Sequence, residues 1–297
     1  MPPRALTLTA LATLATTAFI MSNATATPTL ASVAGHYQEC FFEQRLDIAR
    51  NGRVEMTGVR FAGGDDGLAL RSAGSMRADG DRMVLELVPD PRDASSLPDG
   101  LAKPRRLLPA VSKGRRYLLD DNALLSLVNH ANRFRTRKDN AGCLLRETLP
   151  GDDRRIETIW IDVDDVLPPD YRVRLRTTPL SARVTRVLAS EALADGPPPA
   201  WMPIGPPMPE PASSEPPPPA PRKTTLEIDR GTADGVFVGM ELLVRADDDD
   251  LYRVTSVEEH RAVLVAATPF HPAAGDEVSS AQPAWRAPRL RPAAASR

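Results

Sequence analysis

The sequence predicts a mainly β protein in two parts: an antiparallel β-barrel or curled sheet with one covering helix, then a second small β-barrel-like domain. Three observations carry this. Short segments with period-two apolar alternation recur between Gly, Asn and Asp turns. A single stretch has helical spacing. Thirteen prolines crowd between Pro197 and Pro221 and separate two β-patterned regions.

The chain opens on Arg4 and an apolar, Thr-rich run from Ala5 to Met21, followed by Ala24-Thr25-Ala26, small residues at the −3 and −1 positions of a cleavage site. Residues 1–26 therefore read as a secretory signal peptide, and the expected location is periplasmic or secreted. No later segment is apolar and long enough to span a bilayer, so no transmembrane segment is expected in the mature chain. Export gives Cys40 and Cys143, the only two cysteines, a disulfide reading. It would close a loop of about a hundred residues, for which chain entropy gives about 4–5 kcal/mol as an upper figure.

Within residues 27–180, the first hairpin turns at Arg50-Asn51-Gly52. A three-residue loop pairs Ile48 with Val54 and Leu46 with Met56, which keeps all four on one face. A second hairpin at Asp79-Gly80 pairs Met76 with Met83 in a two-residue register. "RRYLL" reads as a strand, and "DDNALLSLVNHANRF" is the helix, over about 121–134. Asp120 or Asp121 caps it, and Leu124, Leu127, Val128 and Ala131 form its apolar stripe. "GCLLRE", "IETIWIDV" and "YRVRLRT" read as further strands, the last with Tyr171, Val173 and Leu175 on one face.

Residues 195–223 are Pro-rich and polyproline-like, with no means of forming a core. Beyond them, "TLEIDRGTADGVFVGMELLV" carries Gly231, Gly235 and Gly239 at a spacing of four. A phosphate loop needs G-x-G-x-x-G, or Lys and Ser/Thr after its last glycine, and then a helix N-terminus. Here a strand pattern follows, so the glycines are expected to be turn residues with positive φ, Gly231 among them. Strands are expected at Glu241–Arg245, Tyr252–Val257 and Ala262–Ala266, with a short last one in "AAGDEV". Residues 281–297 read as a disordered basic tail.

This glycine segment resembles the small C-terminal β-domain of the MreC rod-shape-determining family and segments of some flagellar and outer-membrane accessory proteins. The resemblance covers residues 181–280 and implies that "SARVTRVLAS" pairs with "TLEIDRG", making the Pro-rich stretch an insertion within one domain. It is a pattern of turns and strands without catalytic residues, so it implies a fold. The chain as a whole resembles a class of bacterial exported proteins in which "YLLDDNALLSLVNHANRF" is the most distinctive part.

The chemistry is sparse. His36, His130, His260 and His271 have no His or Cys partner at metal spacing. There is no G-x-S-x-G elbow. "IDVDDV" lacks the glycine and distal glutamate of a calcium loop and reads as a solvated strand edge. Neither a cofactor, a metal nor a catalytic residue is expected. The net charge of −2 argues against nucleic acid as a partner. One local pattern stands out: Lys103, Arg105, Arg106, Lys113, Arg115 and Arg116 fall in fourteen residues without an acid. With the basic run after the helix they could form a patch for an anionic envelope component. The expected function is a non-catalytic envelope interaction or assembly-accessory protein. The alternatives are a barrel binding a small apolar ligand and a hydrolase with an unrecognised site.

Overall fold

The computed structural model describes residues 27–39, 44–60, 68–89, 103–140, 144–149, 152, 160–193, 222–244, 251–269 and 271–282. Among these the chain forms two closed antiparallel β-barrels, of eight and six strands.

The first barrel follows a short helix α1 (Leu30–Val33). It comprises β1 (Gly35–Glu39), β2 (Gln44–Ile48), β3 (Arg53–Arg60), β4 (Leu68–Asp79), β5 (Arg82–Pro89), β6 (Arg105–Ser112), β7 (Arg115–Leu119) and β9 (Leu145–Glu147). Consecutive strands pair up to β7, and β9 closes the ring between β7 and β1. Between β7 and β9 lie α2 (Asp121–Phe134) and β8 (Lys138–Asn140). After β9 come β10 (Trp160–Asp162), which pairs with β8, and the short helices α3 (Val163–Val166) and α4 (Pro169–Arg172).

The first hairpin has the expected register, Leu46 opposite Met56 and Ile48 opposite Val54, and Gly52 supplies the left-handed residue at φ 85°. The second is shifted by two. Asp79 faces Arg82 and Met76 faces Leu85, because the turn sits on Gly80, at φ 64°, and Asp81. A shift of two leaves every side chain on its face. Met76, Met83, Leu85 and Leu87 therefore still point into the core, with Tyr37, Leu107, Leu118, Leu145 and Val33 of α1.

One strand expectation fails, and a second ends earlier than expected, with residues 156–159 of it outside the described residues. Tyr171 lies in α4 and residues 173–174 are turn, so "YRVRLRT" is not a strand. Pro169 at the first helical turn pre-sets a helical φ, and Tyr171 is buried against α2 while Val173 is 82% exposed. Of "IETIWIDV", Trp160–Asp162 is strand, but Val163 starts α3 after the Asp162 carboxylate caps the Asp164 N–H. Two strands went unread: "RRLLPAVS" is β6, folded back on β7 through Lys113-Gly114, and Lys138–Asn140 is β8, paired with β10.

The second barrel has the order β11 (Ser181–Ala192), β12 (Arg222–Ile228), β15 (Ala262–Thr268), β14 (Leu251–Val257), β13 (Glu241–Val244) and β16 (Glu277–Ser279), closing on β11. Its core includes Val184, Leu226, Ile228, Leu242, Tyr252, Val254 and Leu264. β11 and β12, the strands on either side of the Pro-rich stretch, pair from Val184 opposite Ile228 to Ala192 opposite Arg222. Residues 194–221 themselves lie outside the described residues.

Candidate functional site

The two barrels meet at a junction that α2 builds. The Asp120 side chain accepts from the Ala123 N–H at 2.9 Å and caps the helix. The stripe Leu124, Leu127, Val128 and Ala131 packs with Tyr117 and Leu119 of β7 and with Ile161, Val163, Val166 and Tyr171. On a second stripe, Leu125 and Asn129 face the loop between β12 and β13, and Asn132 faces the segment after α4.

Two asparagines on this stripe each take one donor and one acceptor from main chain. Asn129 Nδ2 donates to the Gly239 carbonyl at 2.9 Å, and its Oδ1 accepts from the Glu241 N–H at 3.1 Å. Asn132 Nδ2 donates to the Arg174 carbonyl at 3.1 Å, and its Oδ1 accepts from the Arg176 N–H at 2.8 Å. The Arg176 guanidinium continues into the second barrel, donating to the Asp234 carbonyl at 2.8 Å. The Arg174 guanidinium lies 4.5 Å from the Tyr171 ring centre and 5.3 Å from that of Phe237. Such stacking is worth about 0.5–2 kcal/mol, more where it is desolvated. Phe237 packs against both the barrel-two core and the cluster around α2. The Tyr171 hydroxyl donates to Asp121 at 3.0 Å; burial, then that carboxylate, pushes its pKa up to about 12. This clasp is made of amide–backbone bonds, one stacked cation and a shared aromatic. Its chemistry is recognition between two parts of one chain.

The glycine segment is the barrel-two half of the clasp. Residues 232–234 form one 3-10 turn, Gly235 and Gly239 have φ 77° and 88°, and Gly239 is followed by β13. The backbone donors are used internally: the Gly235 N–H reaches Thr232, Val236 reaches Gly231 and Gly239 reaches Val254. A phosphate loop needs those N–H groups free and aimed outward. Gly231 departs from expectation, with φ −140°. It is required by crowding: an added Cβ would lie 2.1 Å from the Glu258 carbonyl oxygen.

The six bases of residues 103–116 are brought onto one barrel, but with acids that the sequence places far away. Arg105 meets Asp120 at 2.9 Å, Arg106 meets Asp79 at 2.9 Å, Arg115 makes two bonds to Asp152, and Arg116 pairs with Glu147. Lys113 donates to the Trp160 carbonyl at 3.0 Å, and Lys103 is exposed. The Arg116–Glu147 pair fastens the closing strand β9, and Arg115 also donates to the Glu147 carbonyl at 2.8 Å. Arg116 also donates to the Ser32 carbonyl at 2.7 Å, tying α1 to the seam. The hydrogen bond from Arg116 holds the Glu147 pKa below its ordinary value, and that from Arg115 does the same for Asp152. Arg146, buried in β9, has its pKa lowered by desolvation and then by the Arg115 charge.

Cys40 and Cys143 lie outside the described residues. They adjoin the described ends Glu39 of β1 and Leu144 before β9, and β1 and β9 are antiparallel neighbours. Among the described residues no three His, Cys, Asp or Glu side chains converge as a metal site, and no helix is long and apolar enough to cross a membrane. Asn129, Asn132, Arg174 and Arg176 escaped the sequence reading. The available signal was two asparagines, poor helix formers, placed within the helix's second stripe. Neither the family models, the curated proteins nor the solved structures compared with this chain gave a match.

Proposed function

We propose that this is an exported interaction or assembly-accessory protein of the bacterial envelope, in which two barrels act as one rigid frame for surface contacts. The observation that carries the reading is the clasp: α2, which belongs to barrel one, is built to recognise the main chain of barrel two at Gly239 and Glu241. An arrangement that fixes two packed barrels against each other fixes the relative position of surfaces on both. The signal-peptide pattern supports export, and the resemblance of residues 181–280 to small envelope β-domains supports the compartment. The ligand-cup alternative is less well supported. The inward positions of barrel one carry Tyr37, Met56, Met83, Leu85 and Leu107, packed against one another as core.

Crosslinking in intact cells, followed by identification of the captured species, tests the proposal. The expected result is a reproducible envelope partner that is lost when the clasp is broken by Asn129→Ala. Recovery of the protein only as an uncrosslinked monomer would overturn it.

A further inference from the structure

Barrel two is closed along only part of β11. β16 pairs with residues 181–183, and the last main-chain bonds on that side join Val184 to Gly275 and Asp276, at 2.8 and 2.9 Å. β11 runs on past Val184 to Ala192, held on its other side by β12. Among the described residues no main-chain group bonds to residues 185–192 from the β16 side. Residues 185–188 are exposed, Val187 at 41% and Leu188 at 45%. A strand edge of this kind is a template for a further strand.

The register on β12 fixes which side chains of this edge share a face. Arg186 is opposite Glu227 and Glu191 opposite Lys223, on the outer face. Val187 is opposite Leu226 and Ser190 opposite Thr224, on the inner face, where both β12 residues are buried. Leu188 has no partner on β12, and this one-residue bulge is why an even- and an odd-numbered residue fall on each face. Arg186 bonds to Glu227 at 2.7 Å, yet its side chain stays 60% exposed. Glu191 is exposed and makes no ion pair with another described residue. The Ser190 carbonyl accepts from Arg222 Nη2 at 2.6 Å and keeps a second lone pair.

We propose that the free edge of β11 pairs with the same edge of a second copy of this chain, as a two-fold antiparallel ladder centred on the bulge at Leu188. In that register Arg186 lies opposite Glu191 of the second copy, and Val187 lies opposite Ser190 of the second copy. Each pair joins residues of one face, and the two-fold axis repeats it, so two Arg–Glu contacts form. A slip of one residue either way would set Arg186 against Ser190 or Ala192, an outer residue against an inner one. The edge is thus complementary in charge to itself, which selects a second copy over an unrelated strand. Pairing uses the free edge of both copies, so assembly stops at two. So short a ladder buries less than the about 1,600 Å² of a standard interface, and the dimer is reversible. This inference goes beyond the proposed function and does not rest on export.

The test is sedimentation of the full chain from about 1 μM to 1 mM. A monomer–dimer equilibrium is expected, without higher species. Arg186→Glu alone and Glu191→Arg alone each replace two Arg–Glu contacts with two like-charge contacts, and each is expected to weaken the dimer about tenfold or more. Mixing the two variants in equal amounts is expected to restore association, because the heterodimer again sets Glu against Arg at both positions. Restoration on mixing also shows that neither variant had merely failed to fold. A monomer at every concentration, dimers indifferent to both substitutions, or a mixture no stronger than its parts would overturn the proposal. A monomer whose residues 186–192 gain protection from amide exchange only on adding an envelope extract would overturn it in favour of a strand from another protein.

Discussion

Asn129 and Gly239 stand 110 residues apart in the chain and are joined at 2.9 Å by a bond from a buried side-chain amide to a main-chain carbonyl. The same amide takes the Glu241 N–H, so one side chain satisfies both a donor and an acceptor of the partner barrel. Asn129→Ala leaves both without a partner in a buried setting, which costs about 1–3 kcal/mol for each group that water does not reach. Calorimetry is expected to show a lower melting temperature and a split of one transition into two, as the barrels lose their coupling. An unchanged thermogram would mean that Phe237 and Arg176 hold the junction without Asn129.

Gly231 and Gly239 are needed for different reasons, and substitution separates them. At Gly239 the left-handed φ of 88° strains an alanine, and the Cβ comes within 3.0 Å of Leu125 Cδ1, a flexible atom that can give way. A loss of about 1–2 kcal/mol is expected there. At Gly231 the backbone angle suits any residue, but a Cβ would meet the Glu258 oxygen at 2.1 Å and the Glu259 backbone at 2.5 Å. Main chain cannot move aside locally, so Gly231→Ala is expected to cost more than Gly239→Ala in urea unfolding. The reverse order would show that the backbone angle governs both.

Gly231 also shows where the sequence was legible and where it was not. The period-two pattern of Leu46, Ile48, Val54 and Met56 sets a register because one slip would turn all four to solvent. The same pattern in Tyr171, Val173 and Leu175 misleads, because alternation specifies a strand only where a sheet face is there to bury it. Tyr171 is buried against a helix, and Val173 points to solvent. Charge matching was equally out of reach: Asp79 meets Arg106 through strand pairing, and Glu147 and Asp152 meet Arg116 and Arg115 beside the closing strand β9. The asparagines of the clasp read as ordinary polar helix residues, since their partners are backbone atoms that no side-chain pattern announces.

The seam at β9 sets an acid limit on stability. Glu147 and Asp152 have folded-state pKa values below their ordinary ones because Arg116 and Arg115 bond to the ionised forms. The unfolded chain therefore binds protons at a higher pH than the folded one. The stability from these pairs is present above the ordinary carboxylate range, about pH 4, and is lost as pH falls through the depressed values. Urea midpoints are expected to hold from neutral pH down to that range and to fall below it. Glu147→Gln is expected to lower the midpoint at neutral pH and flatten the acid slope. A variant with the parent's acid slope would place the sensitive carboxylates elsewhere.

The seam also frames the cysteines. Gln38 pairs with Arg146 across β1 and β9, and Cys40 follows Gln38 by two residues while Cys143 precedes Arg146 by three. In an exported chain an even count favours a bridge. Thiol labelling of the denatured mature protein without reductant is expected to find no reactive thiol. Reduction is expected to lower stability by up to about 4–5 kcal/mol. Two thiols labelled before reduction would end the disulfide reading.

The last prediction concerns the Pro-rich stretch, whose flanking strands are neighbours in one barrel. Ala192 lies opposite Arg222, so the chain leaves β11 and re-enters β12 at adjacent points on the sheet. Residues 193–221 then act energetically as a long loop between the two strands of a hairpin. Loop-closure entropy grows only with the logarithm of length, about 0.6 kcal/mol per doubling. Replacing these 29 residues with a short Gly-containing turn removes roughly three doublings and is expected to leave the fold intact and more stable by up to about 2 kcal/mol. A proteolytic cut within 197–221 leaves β11 on the fragment that carries barrel one and α2. That fragment still pairs with β12 and β16 and still bonds to Gly239 and Glu241. The nicked protein is therefore expected to elute from gel filtration as one species under native conditions and to separate only in denaturant. Two folded fragments eluting apart after the cut would show that the strand pairing and the clasp together are too weak to hold the barrels, and that the stretch serves as a tether.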